Sequence, residues 1–345
     1  MVLCCFSIWK IALKGGEALF SNRDAECASH ENRPLGSRPI IDQPFHYGGQ
    51  AVIEGVVMRG KRDLAIAVRR PDSSIIIEEE KLSSVVERFK CLNWPLVRGF
   101  IVLIETMLIG LRALSFSANQ AAEAEGEEIT AGEMAFTMII AVVLAIVLFV
   151  VIPTGTVHFM RGMVVSVAVQ NLIEGIIRIA IFLGYVWAVA RMEDIQRVFE
   201  YHGAEHKVIH TFEAGEPLEV EYARKHSTLH PRCGTAFLLV VMVVSILVFS
   251  LLGEGTLLWR ISSRVILLPV VAGLGYEFIK YMARKQGSCW GRWLMAPGLW
   301  LQKLTTREPD DEQLEVAIQA LKRVLEVEAR NLKPQTPTPP ATVPA

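Results

Sequence analysis

Four long stretches of the chain are largely apolar, and polar stretches rich in charged residues separate them. The apolar stretches cover residues 134–152, 163–190, 235–252 and 266–282. Each approaches the roughly 20 residues that an α-helix needs to cross the hydrocarbon core of a bilayer. Backbone amides find no other partner in lipid, so the pattern predicts membrane-spanning helices, two within 134–190 and two within 235–283.

A fifth apolar stretch, Pro95–Leu114, is interrupted by Arg98, Glu105 and Arg112. Its uninterrupted part is shorter than a membrane span. We therefore predict that residues 91–133 form an interfacial or re-entrant helix followed by an acidic connector over Glu123–Glu128. The alternative is a fifth span.

The segment 46–90 changes to short runs that are typical of β-strands. These runs are Gln50–Arg59, Leu64–Arg70 and Ser74–Glu80, and Pro71-Asp72-Ser73 is a good hairpin turn between the last two. Gly48 and Gly49 fit the turn geometry at a strand start, and a loop that cradles a ligand is the alternative. The predicted fold class is an α-helical polytopic membrane protein with a small N-terminal antiparallel β-sheet.

The region after the last span, 284–333, contains two further elements. Trp290, Trp293 and Trp300 alternate with basic residues, which is typical of a segment at the membrane surface. Asp310 and Gln313 then form a capping-box pattern at the start of an amphipathic helix. Its apolar face should bind either this protein or a protein partner. Residues 1–45 and the proline-rich tail 334–345 should be poorly ordered.

Composition agrees with a membrane protein and excludes some partners. The chain is 52% hydrophobic with a mean hydropathy of +0.36, and its net charge of −1 gives no general attraction to nucleic acid. Six scattered cysteines indicate a reducing compartment. Lys and Arg accumulate in the loop 191–234 and after the last span. Four spans then place this loop and both termini in the cytoplasm.

Charged residues inside the predicted spans are costly in hydrocarbon and so carry information. Glu174 and Arg178 lie four residues apart and should share one helix face, and Glu277 and Lys280 lie three apart. These groups indicate either a polar interior of the helix bundle or simple pairing between helices.

Histidines concentrate in the loop 191–234, which holds five of the eight. A helix over 197–212 would place His202, His206 and His210 on one face, and His-x-x-Glu-His matches the inverted zinc-peptidase signature with Glu205 as general base. His230 and Cys233 are the nearest further ligands for zinc. Structural histidines, or an anion site using Lys207 and Arg232, are the alternatives.

Four motifs resemble those of one bacterial family. They are Gly48–Gly60 (GGQAVIEGVVMRG), Tyr201–Lys207 (YHGAEHK), His230–Thr235 (HPRCGT) and Leu304–Pro309 (LTTREP). With them, the stretch from about Tyr47 to Leu321 resembles the YqhQ-like family, a family with a domain of unknown function. The resemblance implies a multi-pass inner-membrane protein that is described as a predicted metal-dependent enzyme.

Three functional hypotheses follow from these patterns. The first is a membrane-bound metal-dependent enzyme of the hydrolase type. The second is a non-enzymatic scaffold or chaperone that binds a protein partner through the C-terminal amphipathic helix. Transport comes last, because the chain shows neither repeats nor broken helices of the usual transporter kind.

Overall fold

The computed structural model describes residues 47–82, 94, 96–123, 131–160, 162, 166–253, 255–284 and 289–332. Predictions for 1–45, 83–90, 124–130 and 334–345 lie outside these residues. The strands are β1 (Gly48–Val52), β2 (Gly55–Arg59), β3 (Asp63–Arg69) and β4 (Ile75–Lys81). The helices are α1 (Val97–Glu123), α2 (Ala131–Ile146), α3 (Ile152–Phe159), α4 (Val167–Val189), α5 (Glu193–Ala214), α6 (Val220–Ala223), α7 (Gly234–Ser250), α8 (Leu257–Arg284), α9 (Cys289–Thr305) and α10 (Asp311–Leu332), with a π-helical turn (Val147–Val151) between α2 and α3.

The predicted antiparallel sheet is confirmed, with the strand order β1-β2-β3-β4. One predicted run was wrong: 50–59 contains two strands, which pair with each other across a turn at Ile53 and Glu54. Glu54 takes the left-handed conformation, with φ 50°. Apolar residues on both sides of this turn made the run look continuous. At the next hairpin, the Asp72 carboxylate accepts the Ser74 N–H at 2.9 Å, as turn chemistry predicts.

Both faces of this sheet are covered by helices. One face contributes Val56, Met58, Ala65 and Ala67 to a hydrophobic core shared with α5 and α10. The opposite face, which includes Val57 and Ile66, packs against Ile109, Ala113 and Phe116 of α1. The sheet is therefore the middle layer between α1 and the α5–α10 pair.

The capping box predicted for α10 is confirmed. The Gln313 N–H donates to Asp310 Oδ1 at 2.8 Å, and the Asp310 N–H donates to Gln313 Oε1 at 2.9 Å. The apolar stripe of this helix is buried in the core shared with the sheet, through Leu314, Ala317, Ile318, Leu321 and Val324. This chain itself therefore covers the apolar face, and a protein partner of α10 would have to bind the opposite face.

Four helices are long and apolar enough to cross a membrane: Val97–Ala121, Ala135–Phe159, Val167–Val189 and Leu257–Met282. This set differs from the predicted one in two places. The predicted span 235–252 forms the shorter apolar helix Gly234–Ser250. The stretch predicted to be interfacial forms a helix that continues past Leu114 to Glu123 and reaches spanning length.

Charged groups of α1 pair with distant parts of the fold, which explains how they are tolerated in this apolar helix. Arg98 Nη2 lies 2.5 Å from Glu277 Oε1 on α8, and Arg112 Nη1 lies 2.9 Å from Glu80 on β4. The partner of Glu277 is thus Arg98 and not its neighbour Lys280. α1 bridges α8 and the sheet.

The predicted pair of Glu174 and Arg178 is confirmed and belongs to a larger buried network. Glu174 Oε1 lies 2.9 Å from Arg178 Nη2 and 2.8 Å from Arg264 Nε of α8. Thr154 of α3 donates to the same carboxylate at 3.1 Å. Buried charges are tolerated when they are paired and hydrogen-bonded, so this network holds α3, α4 and α8 together.

Candidate metal centre

The histidines lie on α5, which begins shortly after α4 ends. Glu193 and Asp194 occupy its first turn, where acidic side chains favour the helix dipole, and Gly215 ends it with φ 73°. The predicted helix 197–212 is confirmed within Glu193–Ala214. A spacing of four then places His202, His206 and His210 along one face.

One ring nitrogen of each of these three imidazoles is held by a backbone carbonyl. The pairs are His202 Nδ1 with Thr305 O (2.8 Å), His206 Nδ1 with Thr228 O (2.5 Å) and His210 Nε2 with Leu229 O (2.9 Å). A carbonyl only accepts, so these nitrogens carry the proton. When such a ring is neutral, its other nitrogen presents a lone pair, which is the arrangement found behind metal-binding histidines.

Two of these histidines converge with Cys233. The ligand atoms of His202, His206 and Cys233 all lie within 4.8 Å of one another, and His202 Nε2 lies 3.1 Å from Cys233 Sγ. Cys233 is the N-cap residue of α7. We call these three residues the first trio. Zinc bonds of about 2.0–2.3 Å fit donor atoms at such separations.

A second trio consists of His210, Glu213 and His230, whose ligand atoms also lie within 4.8 Å of one another. His230 Nδ1 accepts the N–H of Arg232 at 3.3 Å. Its buried Nε2 has no hydrogen-bond partner among the described residues and lies 3.6 Å from Glu213 Oε2. Arg232 forms a salt bridge with the same carboxylate.

The two trios are neighbours. The ring centroids of His206 and His230 lie 5.5 Å apart, and those of His210 and His230 lie 4.6 Å apart. His230 is fixed by Gln302 of α9, which accepts its N–H and donates to its carbonyl, both at 2.9 Å. All five residues predicted as ligands therefore lie in one centre, divided between the two trios.

Glu205, the predicted general base, lies beside the first trio and belongs to neither. Its Oε1 accepts the N–H of Gly49 at 2.9 Å, and its Oε2 lies 3.7 Å from His206 Nε2. The side chain is buried. A Cβ at position 49 would lie 2.2 Å from the Val57 carbonyl of β2 and 3.1 Å from Cγ of Glu205, so glycine is needed where β1 packs between β2 and α5.

Comparison with known proteins places the chain in a family. A family model described as "Protein of unknown function (DUF1385)" matches residues 94–327, which is more than half of the chain. The chain belongs to the DUF1385 family. It is also 33% identical over 313 residues to the "Uncharacterized protein YqhQ" of Bacillus subtilis (strain 168), covering 86% of this chain and 97% of that protein. No solved structure matches the chain significantly.

The DUF1385 match contains every residue of both trios, together with Glu205 and the carbonyl groups that hold the imidazoles. The strands lie before it. The resemblance to the YqhQ-like family is thus confirmed.

Sequence reasoning missed Glu213, although its position three residues after His210 places it on the same helix face. It also missed the contributions of Thr305 and Gln302. A backbone carbonyl has no signature in sequence, and both residues lie about 70 to 100 positions away from the histidines that they hold.

Electrostatics favour the cation-binding protonation states of His210 and Glu213 in the second trio. Burial, which disfavours the imidazolium, lowers the pKa of His210 to about 4 even though the Leu229 carbonyl accepts its N–H. Burial raises the pKa of Glu213, but the His230 ring 3.6 Å away and the charge of Arg232 outweigh this effect and lower the pKa to about 2. At neutral pH the imidazole is neutral and the carboxylate is charged.

The metal-free protein should lose stability as the pH falls from 6.5 to 4. His210 takes up a proton near pH 6.5 in the unfolded chain but only near 4 in the folded protein, so the unfolded state binds more protons in this window. Glu213 continues the loss between 4.5 and 2 for the same reason. The unfolding temperature of chelator-treated protein, measured against pH, reports this loss of stability. In His210→Gln, the unfolding temperature should depend less on pH above pH 4.5 than in wild type. An equal pH dependence in wild type and variant would contradict the role of His210.

Lys207 does not form the anion site considered from the sequence. Its Nζ is buried, donates to the Arg224 carbonyl at 2.9 Å and pairs with Glu308. The Arg232 side chain is more accessible than that of Lys207, with 20% of its surface exposed against 3%.

Proposed function

We propose that this protein is a multi-pass membrane protein that acts as a metal-dependent enzyme of the hydrolase type, with its metal centre at the cytoplasmic end of the helix bundle. The observation that carries the proposal is the convergence of His202, His206 and Cys233, whose imidazoles are both oriented by backbone carbonyls. Such oriented imidazoles beside a thiol form a set of metal ligands that is fixed before any cation binds.

The shared hydrophobic core supports the membrane topology. The strands and α10 pack together, so residues 47–82 and 311–332 lie on the same side of any membrane and an even number of crossings joins them. α1 covers the sheet with Ile109, Ala113 and Phe116, which favours a place for α1 on that same side. The four crossings are then α2–α3, α4, α7 and α8. The 17 residues of α7 lie at the lower limit of spanning length.

The charge of the loops supports a cytoplasmic location for the metal centre. Basic residues accumulate between α4 and α7, the segment that carries both trios: Arg191, Arg197, Lys207, Arg224, Lys225 and Arg232. Lys and Arg are retained on the cytoplasmic side of membranes. Both ends of the described chain, β1 and α10, then also face the cytoplasm.

Zinc is the cation that best fits the first trio. Two imidazoles and one thiolate are ligands of zinc, whereas magnesium and calcium select oxygen ligands. Three protein ligands leave one tetrahedral position open, as in catalytic zinc sites. A cation held there would polarise the bond to be cleaved.

Glu205 is placed to move a proton during hydrolysis. The N–H of Gly49 fixes one carboxylate oxygen, and the other borders the ligand nitrogen of His206 at 3.7 Å. This free oxygen can take the proton of an attacking water and pass it to the leaving group, which is the role of a general base that becomes a general acid.

Metal analysis tests the proposal directly. Protein purified from zinc-replete cells without chelators should contain about one zinc per chain, since the first trio supplies three ligands. A wild-type protein without bound metal would contradict it.

The variant Glu205→Gln separates the role of the base from metal binding. Its amide can still accept the Gly49 N–H, so the metal content should equal that of wild type. Hydrolysis of chromogenic acyl and phosphoryl esters should fall by about 10²- to 10⁴-fold, the usual contribution of general base catalysis. Unchanged hydrolysis would remove Glu205 from the mechanism.

A further inference from the structure

A cavity of about 290 Å³ lies among α7, α8 and α9, directly beside the metal centre. Its wall on α7 consists of Ala236, Leu239, Val240, Val243, Val244 and Leu247, which recur at three and four residues and form one helix face. Residues of α8 and α9, among them Met282 and Met295, form the opposite wall. The body of the cavity is thus apolar.

The polar end of the cavity adjoins the metal centre. Pro231, Arg232 and Gln302 form this end. Gln302 holds both backbone groups of His230, and Arg232 pairs with Glu213, so the same side chains border the cavity and the second trio. A molecule in the cavity would place its polar group next to the centre.

The length of the cavity matches one leaflet of a bilayer. Ala236 and Leu247 lie eleven residues apart on α7, a rise of about 16 Å. The hydrocarbon core of a bilayer is roughly 30 Å thick, so the cavity extends to about its middle. One acyl chain of a lipid in the leaflet next to the centre covers this depth.

We infer that the cavity holds an acyl chain of an anionic phospholipid, whose phosphate lies at Arg232 beside the metal centre. A guanidinium has five N–H donors, and the salt bridge to Glu213 leaves donors for a phosphate. The inference rests on the proposed function for its chemical part, in which phospholipids are the substrate class. Hydrolysis of one ester bond adds the hydroxyl group of water to the acyl or phosphoryl group and a proton to the released alcohol.

Native mass spectrometry of the full-length protein tests the lipid site. Delipidated protein in detergent is incubated with phosphatidylglycerol or with phosphatidylcholine carrying the same acyl chains. Wild type should retain one phosphatidylglycerol in preference to phosphatidylcholine. Val240→Trp, which fills the cavity, should retain at least about tenfold less. Arg232→Gln should lower the preference for phosphatidylglycerol by about fivefold, the effect of one basic residue near an anionic headgroup.

Leu238→Trp is the matched control, because Leu238 lies on the same helix but is 46% exposed outside the cavity. Leu238→Trp should retain as much lipid as wild type. A loss of lipid seen only in the cavity variant then comes from the cavity and not from the outer surface of the bundle. If the Val240→Trp protein does not fold and is not obtained from cells, Val243→Trp replaces it, because Val243 lines the cavity but is 47% exposed. Equal retention by the cavity variant and the control, or no retention by wild type, would overturn the inference.

Zinc measured in the same samples separates the two proposals. Bound zinc without retained lipid would refute the lipid site and leave the metal centre standing. Retained lipid without zinc would refute the proposed enzyme and leave a lipid-binding membrane protein.

Discussion

Replacing His202 and His206 together by alanine should remove nearly all of the metal from the first trio. The double variant lacks two of its three ligands, and Cys233 alone cannot hold the cation. The His202 ring is partly exposed and the His206 ring is buried. The carbonyls that hold these rings, of Thr305 and Thr228, belong to the backbone and remain in the variant. Elemental analysis of purified protein should show a fall from about one zinc per chain to below about 0.1. Removing a residue that only orients a metal ligand already costs 10- to 100-fold in metal affinity, and removing two ligands should cost more.

His226→Ala is the matched control for this experiment. His226 lies in the same segment and stacks on His210, with ring centroids 6.1 Å apart, but it belongs to neither trio. It should keep the zinc content of wild type. A double variant that keeps its zinc while remaining folded would show that the first trio does not bind the metal.

Gly203→Ala should destabilise the protein, although alanine is the better helix former. A Cβ at position 203 would lie 2.0 Å from the Arg307 carbonyl oxygen, and backbone cannot rotate away as a side chain can. The gain in helix propensity is about 1 kcal/mol, whereas forced overpacking costs about 1–3 kcal/mol and more against backbone. The segment that must move also carries the Thr305 carbonyl that orients His202. Zinc affinity should therefore fall together with the unfolding temperature.

Gly184→Ala provides the comparison for this prediction. Gly184 lies within α4, and a Cβ there meets nothing within 4 Å. Its unfolding temperature should equal or slightly exceed that of wild type. A Gly203→Ala protein as stable as Gly184→Ala would contradict the proposed close contact between α5 and the end of α9.

Local periodicity explains why much of the candidate centre could be predicted. The helix repeat alone places His202, His206 and His210 on one face, and the short distance along the chain brings His230 and Cys233 within reach. The division into two trios could not be predicted. It depends on which ring nitrogen each carbonyl holds, and those carbonyls come from turns and from the end of α9.

The predicted length of α1 was too short for a related reason. Composition counts Arg98 as an interruption, but in the folded protein its charge is paired with Glu277, which lies 179 positions away. Hydropathy measures each segment alone, whereas pairing across the fold decides how far an apolar helix can extend. The capping box of α10 could be predicted because both of its members lie within four residues.

The contact between the sheet and α10 determines when this protein can finish folding. The Tyr47 hydroxyl donates to Glu328 at 2.7 Å, and Asn331 donates to Asp63 at 3.1 Å, so the earliest and latest described residues depend on each other. A ribosome releases the strands and α5 long before α10 exists, so the part of the sheet face that α10 covers stays exposed until α10 has been made. In the proposed topology, the bundle helices enter the bilayer before the sheet is fully covered, and a chain truncated before α10 would expose this face to chaperones and proteases.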